Sequence, residues 1–62
     1  MKVYELLHHV EVQVEIVFCY YDYTKYERKI ITNEQANGKE IRYIYIEDDT
    51  LYIEVDNDEN DL

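Results

Sequence analysis

The segment from residue 40 to residue 56, EIRYIYIEDDTLYIEVD, constrains the fold more than any other part of the chain. Apolar side chains alternate there with charged and aromatic ones at the period of two that is typical of strands. The alternation breaks at Asp48-Asp49, which predicts a β-hairpin that turns at these two residues. The register that follows pairs three sets of opposing residues, Ile46 with Leu51, Ile44 with Ile53, and Arg42 with Val55.

The two faces of the predicted hairpin differ in chemistry. One face gathers five aliphatic side chains, namely Ile44, Ile46, Leu51, Ile53 and Val55. The other face carries one isoleucine and three tyrosines edged by acids, namely Ile41, Tyr43, Tyr45 and Tyr52 with Glu47, Glu54 and Asp56. A shift of one residue would mix the two sets, so the pattern favours this register. We expect the first face to be buried and the second to be exposed.

The segments before the hairpin predict one short helix and two further strands. Residues 2–9 carry apolar side chains at helical spacing, and residues 10–23 then change to period two. A turn is expected at residues 22–25, followed by a second strand over residues 26–32. The second half of the long first strand is apolar on both faces, which favours a central place in the sheet or cover by a partner.

A short crossing segment links the second strand to the hairpin. Thr32 and Gln35 have the spacing of a capping box, which predicts a single helical turn at residues 33–37. Gly38 is expected to end that turn in a left-handed conformation. The predicted class is therefore α+β: a short N-terminal helix packed on a four-stranded, mainly antiparallel sheet, with a one-turn helix between strands 2 and 3.

With 62 residues, the chain predicts a single domain over residues 1–55 and a disordered acidic tail over residues 56–62. A chain of this length buries only about 60% of its unfolded surface. Its single cysteine, Cys19, excludes an intrachain disulfide, and the adjacent pair His8-His9 lacks the ligand spacing of a zinc site. Oligomerisation remains as a common way to supplement so small a core, so a homodimer is expected.

The charge of the chain limits the partners that it can bind. Fifteen Asp and Glu residues stand against six Lys and Arg residues, for a net charge of −9. This charge disfavours direct binding to nucleic acid or to an anionic membrane, and it favours a basic protein partner. Solubility alone is the alternative explanation. The eight tyrosines favour binding, because tyrosine is enriched at the hot spots of protein interfaces.

The sequence contains no catalytic signature. It has no nucleophile elbow, glycine-rich phosphate loop, Ser-His-Asp set or metal cage, and Asp48-Asp49 is expected at a solvated turn that is unsuited to acid-base catalysis. We therefore expect a protein that is not an enzyme and has no cofactor or metal, with Cys19 as a structural thiol. The lone cysteine, the lack of an apolar run of about 20 residues and the lack of a signal peptide predict a cytoplasmic protein.

Four segments of the chain resemble short acidic proteins encoded by phages and prophages of Firmicutes. They are MKVYELL, YYDYTKYERKIIT, NEQANGKEI and IRYIYIEDDTLYIEV, which together cover most of residues 1–56. Several small proteins of that kind are anti-CRISPR proteins or other anti-defence inhibitors. The resemblance implies a host-directed inhibitor that acts in the cytoplasm of the host bacterium. The basic grooves in which Cas nucleases hold guide RNA and target DNA are natural targets for it.

Two functions of different classes follow from these features. The first is an inhibitor that occupies a nucleic-acid-binding groove as a DNA mimic, because same-face strand residues lie ~6.5–7 Å apart, close to the phosphate spacing of a DNA strand. The predicted partner-binding residues are Tyr43, Tyr45, Tyr52, Glu47, Asp48, Asp49, Glu54 and Asp56. The second is a small structural or regulatory phage protein that forms homo-oligomers through its tyrosine-rich face. A third function, capture of a signalling nucleotide by Arg28, Lys29 and Arg42, is opposed by the negative charge.

Overall fold

A computed structural model describes residues 1–57 of the chain, so most of the predicted acidic tail lies outside the described residues. The helices are α1 (Val3–His9) and α2 (Asn33–Ala36), and the strands are β1 (Glu15–Asp22), β2 (Glu27–Ile31), β3 (Ile41–Glu47) and β4 (Thr50–Val55). The strands form one sheet in the order β2-β1-β4-β3. The predicted α+β class is confirmed, with a short N-terminal helix and a one-turn helix between β2 and β3.

The sheet is mixed, with two antiparallel pairs joined by a parallel pair at its centre. β1 pairs antiparallel with β2, β3 pairs antiparallel with β4, and β1 pairs parallel with β4. The prediction of a strand over residues 10–23 is too long, because β1 begins only at Glu15. Glu15 is opposite Thr50, the first residue of β4, so β4 offers no partner to residues 10–14.

The hairpin of β3 and β4 turns where the sequence predicts. Ile46 pairs with Leu51, and the alternation continues along both strands as expected. Asp48 and Asp49 have φ angles of 52° and 60°. A two-residue type I′ turn requires positive φ at both central positions, and aspartate tolerates this conformation better than most residues.

The register changes near the start of β3. Ile41 pairs with Val55, so the predicted pairing of Arg42 with Val55 is wrong. A register shift between Ile41 and Tyr43 inserts Arg42 as an extra residue in β3, as in a β-bulge. The extra residue moves Ile41 from the tyrosine face, where strict alternation placed it, to the core.

The core lies between α1 and one face of the sheet. Val3 of α1 packs with Phe18 of β1 and with Ile53 and Val55 of β4, and Ala36 of α2 completes the buried cluster. Partly buried neighbours surround it, namely Leu6, Leu7, Ile16, Tyr20, Ile31, Ile41 and Leu51. This arrangement explains why the apolar positions of the inner strands are the ones that become buried.

The apolar face of the hairpin is only partly buried, which differs from the prediction. Ile44 remains 47% exposed and Ile46 remains 73% exposed. Both lie on β3, which is an edge strand, and α1 is only about 10 Å long at 1.5 Å per residue. A helix of that length does not cover the apolar face of all four strands.

The N-terminal residues cover the start of the β3 edge. Lys2 forms a bridge with Glu40, and the amide of Ile41 donates to the carbonyl of Met1 at 2.8 Å. The amide of Val3 donates to the carbonyl of Lys39 at 3.1 Å, which ties the start of α1 to the same segment. Nearer to the turn, the outer edge of β3, opposite β4, has no strand beside it among residues 1–57.

The capping box of α2 forms as predicted. The amide of Gln35 donates to Thr32 Oγ1 at 3.1 Å, and the amide of Thr32 donates to Gln35 Oε1 at 2.9 Å. The predicted left-handed Gly38 is wrong, since no glycine has a positive φ. The turn instead ends with a right-handed Asn37 and a bond from the Lys39 amide to the Ala36 carbonyl at 3.0 Å.

None of the helices formed by residues 1–57 has the length and apolar character needed to cross a membrane.

Candidate functional site

The face of the sheet opposite α1 is covered by no helix among the described residues, and we call it the open face. Its side chains alternate along each strand with those that enter the core. They are Val17, Cys19 and Tyr21 of β1, Arg28 and Ile30 of β2, Tyr43, Tyr45 and Glu47 of β3, and Tyr52 and Glu54 of β4. The strand pairing thus brings five of the eight predicted partner-binding residues to one face.

Arg28 crosses the open face and joins β2 to the hairpin. Its guanidinium lies 4.4 Å from the ring centroid of Tyr52, and its Nη1 donates to the hydroxyl of Tyr45 at 3.0 Å. The rings of Tyr45 and Tyr52 stack, with centroids 5.4 Å apart and planes 10° apart. The Tyr45 hydroxyl raises the pKa of Arg28, so the arginine is charged wherever the protein is folded.

Cys19 lies beneath this arrangement and is fully buried. Its Sγ lies 4.0 Å from the hydroxyl of Tyr45 and 3.9 Å from the carbonyl oxygen of Ile53, to which it donates. Burial raises the pKa of the Cys19 thiol, and the hydrogen bond with Tyr45 opposes that shift. A buried, protonated thiol is a weak nucleophile, so this geometry suits a packing role.

Arginine side chains pair with two of the predicted partner-binding carboxylates. Glu47 Oε2 lies 3.9 Å from Nη1 of Arg28, and Asp56 Oδ1 lies 3.4 Å from Nε of Arg42. All four side chains are partly exposed, and such pairs contribute at most about 1 kcal/mol. The pairing lowers the net negative charge at both ends of the hairpin.

The remaining three predicted acids occupy different surroundings. Asp48 and Asp49 form the turn and lie beyond the end of the open face. Glu54 lies on the inner strand β4, between Cys19 of β1 and Tyr43 of β3. Among residues 1–57, no side chain forms a hydrogen bond or an ion pair with the carboxylate of Glu54. It is therefore the acid on this face whose charge is not matched by a neighbouring cation.

A concave surface, which we call the aromatic cleft, extends the open face towards the turn between β1 and β2. It is a shallow depression, largely open to solvent, with a volume of about 450 Å³, and it is lined by Tyr21, Tyr23, Tyr26, Tyr43 and Glu54. Sequence reasoning missed three of these tyrosines. Tyr23 and Tyr26 lie at a turn, and the period of β1 alone does not show that Tyr21 lies beside the hairpin. The signal that could have found them is the density of tyrosine in YYDYTKY, residues 20–26.

Asp22 holds the turn that supplies part of the aromatic cleft. Its Oδ1 accepts bonds from the amide of Thr24 at 2.9 Å and from the Thr24 hydroxyl at 2.6 Å. The bond from the Thr24 hydroxyl is the main cause that lowers the pKa of Asp22. This local ring positions Tyr23 beside Tyr21, with ring centroids 4.8 Å apart and planes 63° apart.

No protein-family model, curated protein or solved structure matches this chain. Within residues 1–57, no group of three or more His, Cys, Asp and Glu side chains is placed to hold a metal ion. The open face offers aromatic rings for stacking and for cations, phenol hydroxyls for hydrogen bonds, and carboxylates for basic groups.

Proposed function

We propose that this protein is a non-catalytic inhibitor that binds, through the open face of its sheet, to a basic nucleic-acid-binding surface of a host protein. The observation that carries the proposal is the open face itself. Six of the eight tyrosines border it, in a protein with a net charge of −9, and no helix among residues 1–57 covers it. A monomer rarely leaves such an aromatic surface uncovered unless it binds something.

The chemistry of the open face complements a groove that binds nucleic acid. Such a groove presents lysine and arginine side chains to phosphates and often has platforms on which bases stack. Glu54 and the acidic turn at Asp48-Asp49 would meet the basic side chains. The tyrosine rings would fill the space in which bases lie. Glu47 and Asp56 already pair with arginines of the same chain. The tyrosine rings would therefore make more of the contact with the groove than the acids would.

The resemblance to small acidic phage proteins extends the proposal to a biological setting. In that setting the protein is an anti-CRISPR inhibitor, produced by a phage and acting in the cytoplasm of the host bacterium. Its target is a Cas nuclease, whose channel for guide RNA and target DNA is positively charged. Inhibition is stoichiometric, because the protein competes with nucleic acid and catalyses no reaction.

Competition for DNA tests the proposal directly. Guide-loaded Cas nucleases from Firmicutes are mixed with labelled target DNA, and bound DNA is measured as the protein is added at several salt concentrations. We expect displacement at near-equimolar protein, with an affinity that falls steeply as salt rises. A variant with Asp48→Lys, Asp49→Lys and Glu54→Lys should not displace DNA. Equal inhibition by this variant, or no displacement from any of the nucleases, would overturn the proposal.

A second candidate function, self-association, is favoured by the edge of β3. Ile44 and Ile46 are exposed there, and the N-terminal residues cover only the start of the edge. Antiparallel pairing of β3 with a second copy, centred on Tyr45, would set each Ile44 against Ile46 of the other copy. It would also set Arg42 near the acidic turn of that copy, which matches opposite charges.

Sedimentation at micromolar concentration tests self-association. We expect a dimer that Ile46→Lys converts to a monomer, because a charged side chain at the edge opposes strand pairing. Tyr45→Ala is the comparison variant for a dimer formed through the tyrosine-rich face. A wild-type protein that stays monomeric up to millimolar concentration would exclude both arrangements.

A further inference from the structure

The aromatic cleft has the composition of a site for an organic cation. Tyr21, Tyr23, Tyr26 and Tyr43 provide its walls, and Glu54 provides a carboxylate among them. Aromatic rings attract cations through the negative charge of their faces, and a nearby carboxylate adds a full charge. These are the two features that sites for basic side chains and quaternary ammonium groups combine.

The rings line a shallow depression and present faces in more than one direction. Tyr21 and Tyr23 meet edge to face, with planes 63° apart, so their faces point in different directions. Tyr26 is 81% exposed and has a φ of 53°. A left-handed conformation is strained for a non-glycine residue, and a side chain this exposed gains little from packing in return. Folding alone therefore gives no reason for a tyrosine at this position.

Glu54 is placed so that its charge acts on a ligand. It lies on an inner strand, is partly buried, and has Tyr43 directly opposite on β3. No cation of residues 1–57 pairs with its carboxylate, whereas Arg28 and Arg42 pair with the carboxylates of the neighbouring region. A carboxylate that is partly shielded from water attracts a cation more strongly than one in bulk solvent.

The same face already holds an arginine in a comparable setting. Arg28 lies over the ring of Tyr52, donates to the hydroxyl of Tyr45 and pairs with Glu47. The aromatic cleft repeats these components, ring faces with a carboxylate, without a guanidinium between them. Arg42 lies over the ring of Tyr43, 6.0 Å from its centroid, but it pairs with Asp56 and is not among the residues that line the cleft.

We propose that the aromatic cleft binds the guanidinium group of an arginine side chain on the partner protein. A guanidinium is planar and stacks on tyrosine faces, and its N–H groups can donate two hydrogen bonds to the Glu54 carboxylate. A quaternary ammonium ion has no N–H to donate, so it would leave that carboxylate without a hydrogen bond. The inference rests on the proposed function only in assigning the arginine to the partner.

The experiment is an NMR titration with a small probe, which needs no partner protein. Nα-acetyl-arginine methylamide is added to isotope-labelled protein, and Nα-acetyl-citrulline methylamide serves as the uncharged analogue of nearly equal shape. We expect saturable shifts at the four tyrosine rings and at Glu54, with a dissociation constant in the roughly millimolar range for a ligand of this size. The citrulline probe should bind at least about fivefold more weakly, since it lacks the charge.

Variants locate the site. Glu54→Gln keeps the shape of the side chain and should weaken arginine binding about fivefold or more. Tyr26→Asn should also weaken it, and asparagine tolerates the left-handed conformation that this position requires. Tyr4→Ala is the matched control, because Tyr4 is an exposed tyrosine on α1, away from the open face. Amide spectra of each variant establish that the fold is retained.

The possible outcomes distinguish this inference from the proposed function. Equal binding of arginine and citrulline probes, equal binding by Glu54→Gln, or tighter binding of tetramethylammonium than of the arginine probe would overturn the inference. Probe binding at the cleft with no displacement of DNA from Cas nucleases would keep the inference and reject the proposed function. If the protein displaces DNA from Cas nucleases and the variants Glu54→Gln and Tyr26→Asn displace it equally well, the proposed function is kept and the inference is rejected.

Discussion

The guanidinium of Arg28, on the outer strand β2, lies 4.4 Å from the ring centroid of Tyr52 on β4, and β1 runs between the two strands. This contact spans the open face, on which Cys19 is fully buried with its Sγ 4.0 Å from the Tyr45 hydroxyl. Arg28 thereby joins β2 to the stacked pair Tyr45 and Tyr52. The reactivity of the Cys19 thiol should therefore show whether the ring of Tyr45 is in place.

Removing the ring of Tyr45 should expose Cys19. Tyr45 contacts Sγ at 4.0 Å, and burial is the main cause of the raised pKa of the thiol. Tyr45→Ala also removes the hydrogen bond that lowers this pKa, but burial is the larger cause, so the pKa should fall towards its ordinary value as water reaches the sulfur and the thiolate fraction at pH 8 should rise. We expect labelling by a disulfide reagent to accelerate at least about tenfold. Tyr4→Ala is the control, and an equal rate in both variants would contradict the proposed covering role.

The core and the edge of the hairpin should respond differently to the same substitution. Ile53 is fully buried on β4, whereas Ile46 is 73% exposed on β3. Ile53→Ala should lower the free energy of unfolding by about 2–5 kcal/mol, enough to unfold much of so small a protein. Ile46→Ala should lower it by less than about 0.5 kcal/mol. Denaturant titration of both variants measures the difference, and similar losses would place the core elsewhere.

The turn of the hairpin should become more stable with glycine. Asp48 and Asp49 both adopt positive φ, and Asn-Gly is the preferred pair for such a turn. The double variant Asp48→Asn with Asp49→Gly should gain about 0.5–1 kcal/mol in thermal or denaturant unfolding. Asp48→Asn with Asp49→Asn removes the same two charges without adding glycine. If this control gains as much, the stabilisation arises from charge and the turn is not strained.

Acid should weaken the turn between β1 and β2 through Asp22. Hydrogen bonds from Thr24 hold the pKa of Asp22 below its ordinary value. A carboxylate with a lowered folded pKa stabilises the protein above the unfolded pKa, near 4, and loses that contribution as pH falls through the folded pKa.

The pH dependence of unfolding measures this contribution. Asp22→Asn should flatten the acidic limb of the stability curve below about pH 4. Thr24→Val should have a smaller effect of the same sign, because it removes the hydroxyl donor but leaves the Thr24 amide. If Asp22→Asn loses stability more steeply than the wild type as the pH falls, the prediction is wrong.

Local patterns predicted the parts of the fold that depend on neighbouring residues. The hairpin, α1 and the capping box of Thr32 and Gln35 follow from periodicity and from spacing over a few residues. The extra residue Arg42 and the late start of β1 at Glu15 do not follow, because each depends on a partner distant in sequence. Strict alternation contains no information about where a partner strand ends.

The candidate site also has one part that local patterns predict and another part that they do not. The pairing of Tyr43, Tyr45 and Glu47 with Tyr52 and Glu54 follows from the alternation in the hairpin. The contribution of Tyr21, Tyr23 and Tyr26 requires the pairing of β1 with β4, which no local pattern specifies. The same pairing brings Arg28 over Tyr52.

The parallel pairing of β1 with β4 also has a kinetic consequence. Glu15 and Thr50 are neighbours in the sheet, so the central pair forms only after a loop of roughly 35 residues has closed, at an entropic cost of about 3 kcal/mol. Contacts of this range slow folding, and they form late relative to the hairpin and the helices. The open face includes residues of β1 and residues of β4, which this loop closure brings together. A fragment that ends before β4, or one that begins after β1, would therefore lack part of the open face.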